Sequence, residues 1–200
     1  MAFIKTIGSE EATGKLKRIY DKVQGPNGHI DHVLSIHSLR PHTLKGHMAL
    51  YKSVLHHSEN SLPKWYLETI GTYISKLNKC DYCATHHAVG LKRNLSNDDK
   101  YQRIMEAMDS QDFTEALNDK EQAGLAHAVQ LTIDHANITS TDIDSLRTIG
   151  FSDGEILEIN QVTSYFNYVN RMVVGLGVSL ETDNIGLSPS SNDSDDWSHK

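Results

Sequence analysis

Apolar residues recur at intervals of three and four through most of the 200-residue chain, which is the period of an amphipathic helix. Leu16, Ile19, Tyr20 and Val23 share one face of a segment running from Glu10 to about Val23, just after Ser9. Gly25, Pro26, Asn27 and Gly28 break that segment. Pro41 suits the first turn of a helix through Leu44, Met48, Tyr51 and Leu55. After a polar break at 58–61, Pro63 opens a helix through Leu67, Ile70, Ile74 and Leu77. Asn78 is placed to cap a further segment from Cys80 to about Arg93.

The second half reads the same way. Ser96 to Asp99 starts a helix through Tyr101, Ile104, Met105 and Met108. Leu125, Val129 and Ile133 are in register over Asn118 to Ala136, and a shorter helix over Thr139 to Ile149 stops at Gly150. Ser152 and Glu155 have the spacing of a capping box. They open a last long helix through Ile156, Ile159, Val162, Phe166, Val169 and Val173, ending near Gly175 or Gly177. There is no alternating strand pattern, no hairpin dipeptide between such runs and no fixed repeat. The pattern predicts one all-α bundle over residues 1–183. Residues 184–200, mostly Ser, Asn, Asp and Gly, read as a polar tail, disordered or laid on a neighbouring subunit.

Composition narrows the function classes. A 38% hydrophobic share lies well above the disordered regime. The net charge of −7 argues against nucleic acid or an anionic membrane as main partner. Much of that charge belongs to the tail: residues 181–200 hold five acids and one base, against 21 acids and 18 bases in the preceding 180 residues. No run of 18 apolar residues exists, so no membrane span is expected. The first eight residues are too short and mixed for a signal peptide, and a cytoplasmic location is expected.

Two cysteines are too few for a secreted disulfide framework. Their spacing draws attention instead. On a helix, Cys83 lies at about 300° and His87 at about 340° relative to Cys80, so the three share a stripe about 60° wide. His86 projects from its far edge. A helix N-terminus lowers a thiol pKa, an imidazole one turn away can take the thiol proton, and a second cysteine can resolve a sulfenic acid as a disulfide. The helix terminus favours Cys80 as the attacking thiol; the histidine spacing favours Cys83.

Two competing readings fit less well. Structural zinc needs a second ligand pair, and His42 and His47 are five positions apart, poor for one helix face, so no metal site is expected. A thioredoxin-like site needs a βαβ pattern around the cysteines, and none is present. Seven of the 12 histidines fall between His29 and His57; they read as polar members of helix faces and loops, with His42 or His47 the ones placed to line a pocket.

The arrangement Glu68-x11-Cys80-x2-Cys83-x3-His87 resembles the signature of the AhpD-like alkylhydroperoxidases, of the carboxymuconolactone decarboxylase superfamily. The flanks at Leu39 to Thr43, Leu62 to Trp65 and Phe166 to Gly177 resemble the same proteins, so that the likeness covers roughly residues 10–180. The decarboxylase branch lacks the cysteine pair. The resemblance implies an AhpD-like helical bundle and a thiol-dependent peroxidase acting on organic hydroperoxides or hydrogen peroxide. It implies Cys83 as the peroxidatic thiol, Cys80 as the resolving thiol, His87 as the activator of Cys83 and Glu68 as proton acceptor and donor. It also implies a dithiol reductant as partner and a homo-oligomer, whether dimer, trimer or hexamer. No heme, flavin or nucleotide motif is present, so no cofactor is expected. One position departs from the pattern: Tyr82 stands where founding members carry a histidine, leaving His86 as an auxiliary candidate. The alternatives are a disulfide oxidoreductase or redox sensor without peroxidase activity and, last, a non-redox scaffold or ring-opening enzyme.

Overall fold

A computed structural model of the chain describes residues 2–187 and Pro189. Its described residues form α1 (Gly14–Val23), α2 (His32–Ser35), α3 (Pro41–Tyr51), α4 (Lys64–Leu77), α5 (Asp81–Leu95), α6 (Asp98–Ser110), α7 (Asp119–Ile133), α8 (Ser140–Thr148) and α9 (Asp153–Gly175). There is no β-strand among the described residues, in line with the all-α expectation. No helix among them is long and apolar enough to cross a membrane.

Helix α4 is the axis of the bundle. Every residue from Tyr66 to Ser75 is buried, with α5, α7 and α9 packed around it. Full burial of a side chain such as Leu67, Ile70 or Ile74 contributes about 1.5–3 kcal/mol. Its small polar residues let the neighbours approach. Thr69 and Ser75 return their hydroxyls to the Trp65 and Gly71 carbonyls, at 2.9 and 2.7 Å, and so need no outside partner. At Gly71 the Phe166 ring of α9 lies where a Cβ would sit, so only glycine permits this crossing.

A second core joins α1, α2 and α3 through Leu16, Ile19, Tyr20, Val23, Leu34, Leu44 and Met48. Val33 and Tyr51 touch both cores and tie this N-terminal layer to the bundle.

The predicted starts at Asn118 and Ser152 are capping boxes closed by Glu121 and Glu155, and Thr139 forms a third with Asp142. Some boundaries differ from the sequence reading. Helix α1 begins at Gly14, not Glu10, because Gly14 has φ of +55°, which ends any right-handed helix arriving from upstream. The segment expected to run helically to Leu55 changes to a π turn over Lys52–His56, burying Val54, Leu55 and His56 together. Asn78 ends α4 rather than starting α5. The Lys79 amide donates to the Lys76 carbonyl at 3.0 Å and the Cys80 amide to the Ser75 carbonyl at 2.9 Å, with Lys79 left-handed at φ +56°. This closed turn delivers Cys80 directly to the N-cap of α5.

The first residues of the segment read as a tail from 184 contact the bundle. The Gly186 carbonyl accepts from the Arg93 guanidinium, its amide donates to His86 Nδ1 at 3.3 Å, and Leu187 reaches the cavity described below. The remainder of the expected tail, Pro189 aside, lies outside the described residues.

Candidate active site

The tight turn between α4 and α5 lays the two helices side by side, which brings Glu68 to His87. Glu68 is 3% exposed, and His87 Nδ1 lies 2.8 Å from its Oε2. Gly90 makes room for the carboxylate, since a Cβ there would fall 2.7 Å from Glu68 Oε1. The Phe166 ring meets His87 edge-on at 4.6 Å between centroids. A carboxylate on Nδ1 and an aromatic edge on the ring fix the imidazole and leave Nε2 for chemistry.

Cys80 and Cys83 are free thiols, 1% and 4% exposed. They form a hydrogen-bonded pair with unequal protonation. The side-chain hydrogen bond from Cys83 holds the Cys80 pKa below its ordinary value, against the effect of burial, with the Asn170 side chain assisting. Burial pushes the Cys83 thiol well up, and its neighbour Cys80 pushes the same way. The pair therefore carries its first negative charge at Cys80, at the helix N-terminus, while Cys83 keeps its proton. Access runs opposite. Cys83, Glu68 and His87 line one cavity of about 60 Å³, closed by Met48, Tyr51 and Tyr165. One water needs about 10–15 Å³ of such space, so the cavity takes a solute of a few heavy atoms.

No protein-family model matches the sequence, and no curated protein matches it. Solved structures do match in fold. A peroxidase-related protein from Ralstonia eutropha JMP134, described as an alkylhydroperoxidase AhpD core, superposes with a TM-score of 0.75 at 19% identity, covering 92% of each chain. A peroxidase-related protein from Silicibacter sp. TM1040 gives 0.71 at 23% identity, covering 88% of this chain and 87% of that one. The debrominase Bmp8 gives 0.69 at 18% identity, covering 88% and 91%. The fold is AhpD-like.

Within this AhpD-like fold, the six residues singled out from the sequence do not play equivalent parts. Glu68, Cys83 and His87 meet at the cavity, and Cys80 sits beside Cys83. Tyr82 and His86 also border the cavity but are engaged with the C-terminal segment. The Tyr82 hydroxyl donates to Asp183 Oδ2 at 2.5 Å and accepts from the Val33 amide at 3.2 Å. The His86 ring stacks on Tyr82 at 4.4 Å, and burial lowers its pKa to about 4. His86 is thus a neutral ring at neutral pH, oriented to the tail.

Neither His42 nor His47 lines the cavity. His47 is buried one layer behind it, its ring 5.9 Å from Tyr165 and 5.1 Å from His37. His37 and His56 are buried too: His37 packs on the His47 ring and lies 3.0 Å from Thr43 Oγ1, and His56 meets the Tyr51 ring edge-on, a role that periodicity does not separate from exposure. The sequence reading missed Asn170, whose amide donates to Ser75 Oγ at 3.0 Å and supports both thiols. Its available signal was a lone amide four residues after Phe166, inside the apolar stripe of the last helix.

Proposed function

We propose that the protein is a thiol-dependent peroxidase of the AhpD-like alkylhydroperoxidase family, reducing organic hydroperoxides or hydrogen peroxide through a Cys80–Cys83 dithiol/disulfide cycle. The observation that carries this reading is the buried Glu68–His87 pair facing the same small cavity as Cys83. The proton of Cys83 passes to the Cys80 thiolate, leaving Cys83 as the nucleophile that faces the substrate. Cys83 Sγ attacks the distal peroxide oxygen and the O–O bond breaks. His87, protonated from solvent before the attack and held as an imidazolium by the Glu68 carboxylate, gives its Nε2 proton to the leaving alkoxide and regains one from solvent afterwards. Cys80 then attacks the Cys83 sulfenic acid, water leaves, and the disulfide forms. In sum, one hydroperoxide and two thiols give one alcohol, one water and one disulfide, which an external dithiol returns to the reduced state.

A reducing cytoplasmic location and a homo-oligomeric assembly belong to the same reading. The size of the cavity favours a small oxidant over a protein disulfide. It also disfavours a bulky aryl halide, the kind of substrate that the likeness to a debrominase brings to mind. The test is peroxide consumption by the reduced protein, with mass spectrometry on the product. A stoichiometric Cys80–Cys83 disulfide and loss of turnover in Cys83→Ser are expected. Undiminished turnover in Cys80→Ser/Cys83→Ser would refute it. Exchange with a model disulfide but no reaction with peroxide would identify a disulfide oxidoreductase instead.

A further inference from the structure

A second cluster of reactive side chains lies outside the thiol chemistry, where the C-terminal segment crosses the loop before α2. His29 Nε2, Asp31 Oδ1 and an Asp183 carboxylate oxygen lie within 4.8 Å of one another. His29 Nε2 is 2.5 Å from Asp183 Oδ1 and 3.8 Å from Asp31 Oδ1. Two acidic side chains are thus brought together out of water: Asp31 is 8% exposed and the Asp183 side chain is fully buried. The groups facing them are His29, His32, His86 and the Tyr82 hydroxyl.

The two carboxylates are not equally satisfied. Asp183 Oδ2 accepts from the Tyr82 hydroxyl at 2.5 Å and from the His32 amide at 3.1 Å. Those bonds fix the carboxylate and turn Oδ1 toward His29. Asp31 Oδ1 is buried without a hydrogen-bond partner, and so is His86 Nε2, which lies 3.8 Å from Asp183 Oδ2. An orphaned buried carboxylate oxygen is costly, and one pointing at an imidazole nitrogen and a second carboxylate is a ligand set in want of a cation.

We propose that His29, Asp31 and Asp183 form a binding site for a divalent transition-metal ion, Zn²⁺ by preference. Zinc holds imidazole nitrogen and carboxylate oxygen at about 2.0–2.2 Å, which sets tetrahedral donors about 3.3 Å apart. The His29 separations of 2.5 and 3.8 Å bracket that spacing, and all three donors lie within 4.8 Å of one another, so rotation of the side chains is enough to bring them onto one ion. Three protein donors are too few for calcium, which takes six to eight oxygens, and an imidazole suits a transition metal. The fourth position falls to a water, because the Gly186 amide donates to His86 Nδ1 and so keeps the proton of that neutral ring on Nε2. The ion has a route in, because His29 and His32 also line an open surface groove with Thr182 and Asn184. The Tyr82 hydroxyl and the His32 amide act as the outer shell that orients the Asp183 ligand.

The site differs from the zinc pattern of the cysteines, and its role is mechanical. Asp183 belongs to the segment whose Leu187 lines the thiol cavity, while His29 and Asp31 belong to the loop before α2, and Asp31 lines the same cavity. A metal bridging the two would clasp that segment over the active site. This inference does not depend on peroxidase activity.

The test uses the full chain carrying Cys80→Ser/Cys83→Ser, so that the thiols cannot bind metal. After removal of metal by a chelator, ZnCl₂ is titrated calorimetrically. One equivalent per chain is expected, with a melting temperature that rises with zinc concentration. His29→Gln and Asp31→Asn should each weaken binding by roughly 10–100-fold or more. Co²⁺ in place of zinc should give d–d bands without a thiolate charge-transfer band. Absence of saturable binding in the double-serine protein overturns the proposal even if the ligand variants fail to fold. Binding left intact by both ligand substitutions overturns it as well.

Discussion

Replacing Glu68 by glutamine isolates the charge on which the proposed proton transfer depends. The amide has the shape of the carboxylate and its oxygen can still accept from His87 Nδ1, now 2.8 Å from Glu68 Oε2. What is lost is the negative charge that, in the proposed step, keeps the His87 imidazole in the protonated form from which the leaving alkoxide draws its proton. Two unit charges about 4 Å apart at an effective dielectric of about 20 interact by about 4 kcal/mol. If most of that goes into keeping the donor protonated, each 1.36 kcal/mol is tenfold in the fraction of competent enzyme, and the loss approaches about 10³-fold. General acid–base groups typically contribute about 10²–10⁴-fold, which agrees. The fold should tolerate the change, since an amide is cheaper to bury at a 3% exposed position than a carboxylate. The assay is single-turnover peroxide reduction followed by disulfide formation, with thermal unfolding as the control. A Glu68→Gln protein that folds normally and reduces peroxide within twofold of the unsubstituted rate would remove Glu68 from the chemistry.

Other expectations are less elaborate. Gly71→Ala should destabilise by about 1–3 kcal/mol or more in urea unfolding, because the new methyl meets the Phe166 ring. Lys79→Gly should stabilise by up to about 1 kcal/mol, because the left-handed position after α4 suits glycine better than lysine; a loss of stability would count against the turn described. Asn170→Leu should slow alkylation of the dithiol at neutral pH, since the amide helps to lower the Cys80 pKa, and equal rates would contradict that role. Burial holds the His37 and His127 pKa values below the ordinary 6.5. The unfolded chain therefore takes up protons that the folded one refuses, and their contribution to stability is complete above pH 6.5 and falls as pH drops below it. Burial raises the Asp31 pKa to about 7, which works the other way over the same range, so the histidine share is read by difference: between pH 7.5 and 5.5 the urea midpoint of His127→Leu should fall less, or rise more, than that of the unsubstituted protein.

Much of the bundle was legible because its helices carry their own punctuation. Asn118 with Glu121 and Ser152 with Glu155 state a helix start in side-chain chemistry, and the structure closes both boxes. Cys80, Cys83 and His87 were legible because their spacing places them on one stripe of one helix, whereas Glu68 entered only through the resemblance to the AhpD-like signature. What was hidden depends on contacts distant in sequence. Asn170 reaches Ser75 across 95 positions, and Asp183 reaches Tyr82 across 101. The π turn at 52–56 and the four-residue α2 left no periodic trace, being shorter than the window in which a period can be read. Tyr82, which first reads as a lost imidazole, is the anchor of the C-terminal segment, and only the fold reveals that partner.

In the proposed cycle, the unequal acidity of the two thiols constrains the order of events. Cys83 faces the cavity yet holds the proton, while Cys80 lies behind it with the lowered pKa. A substrate entering the cavity thus meets a thiol with its base already in hydrogen-bond contact. Passing one proton along the S–H···S bond makes Cys83 the thiolate only at the moment of attack and leaves Cys80 protonated. Cys80 must lose that proton again to resolve the sulfenic acid, and the helix N-terminus and Asn170 favour that loss. Under this proposal a charge resting at Cys80 protects the pair, because a permanently ionised Cys83 facing oxidant would run on to sulfinic acid whenever resolution lagged. Cys80→Ser should therefore do more than abolish the disulfide. It should slow the first attack as well, and a burst of sulfenic acid in Cys80→Ser at the unsubstituted rate would show that Cys83 ionises without its neighbour.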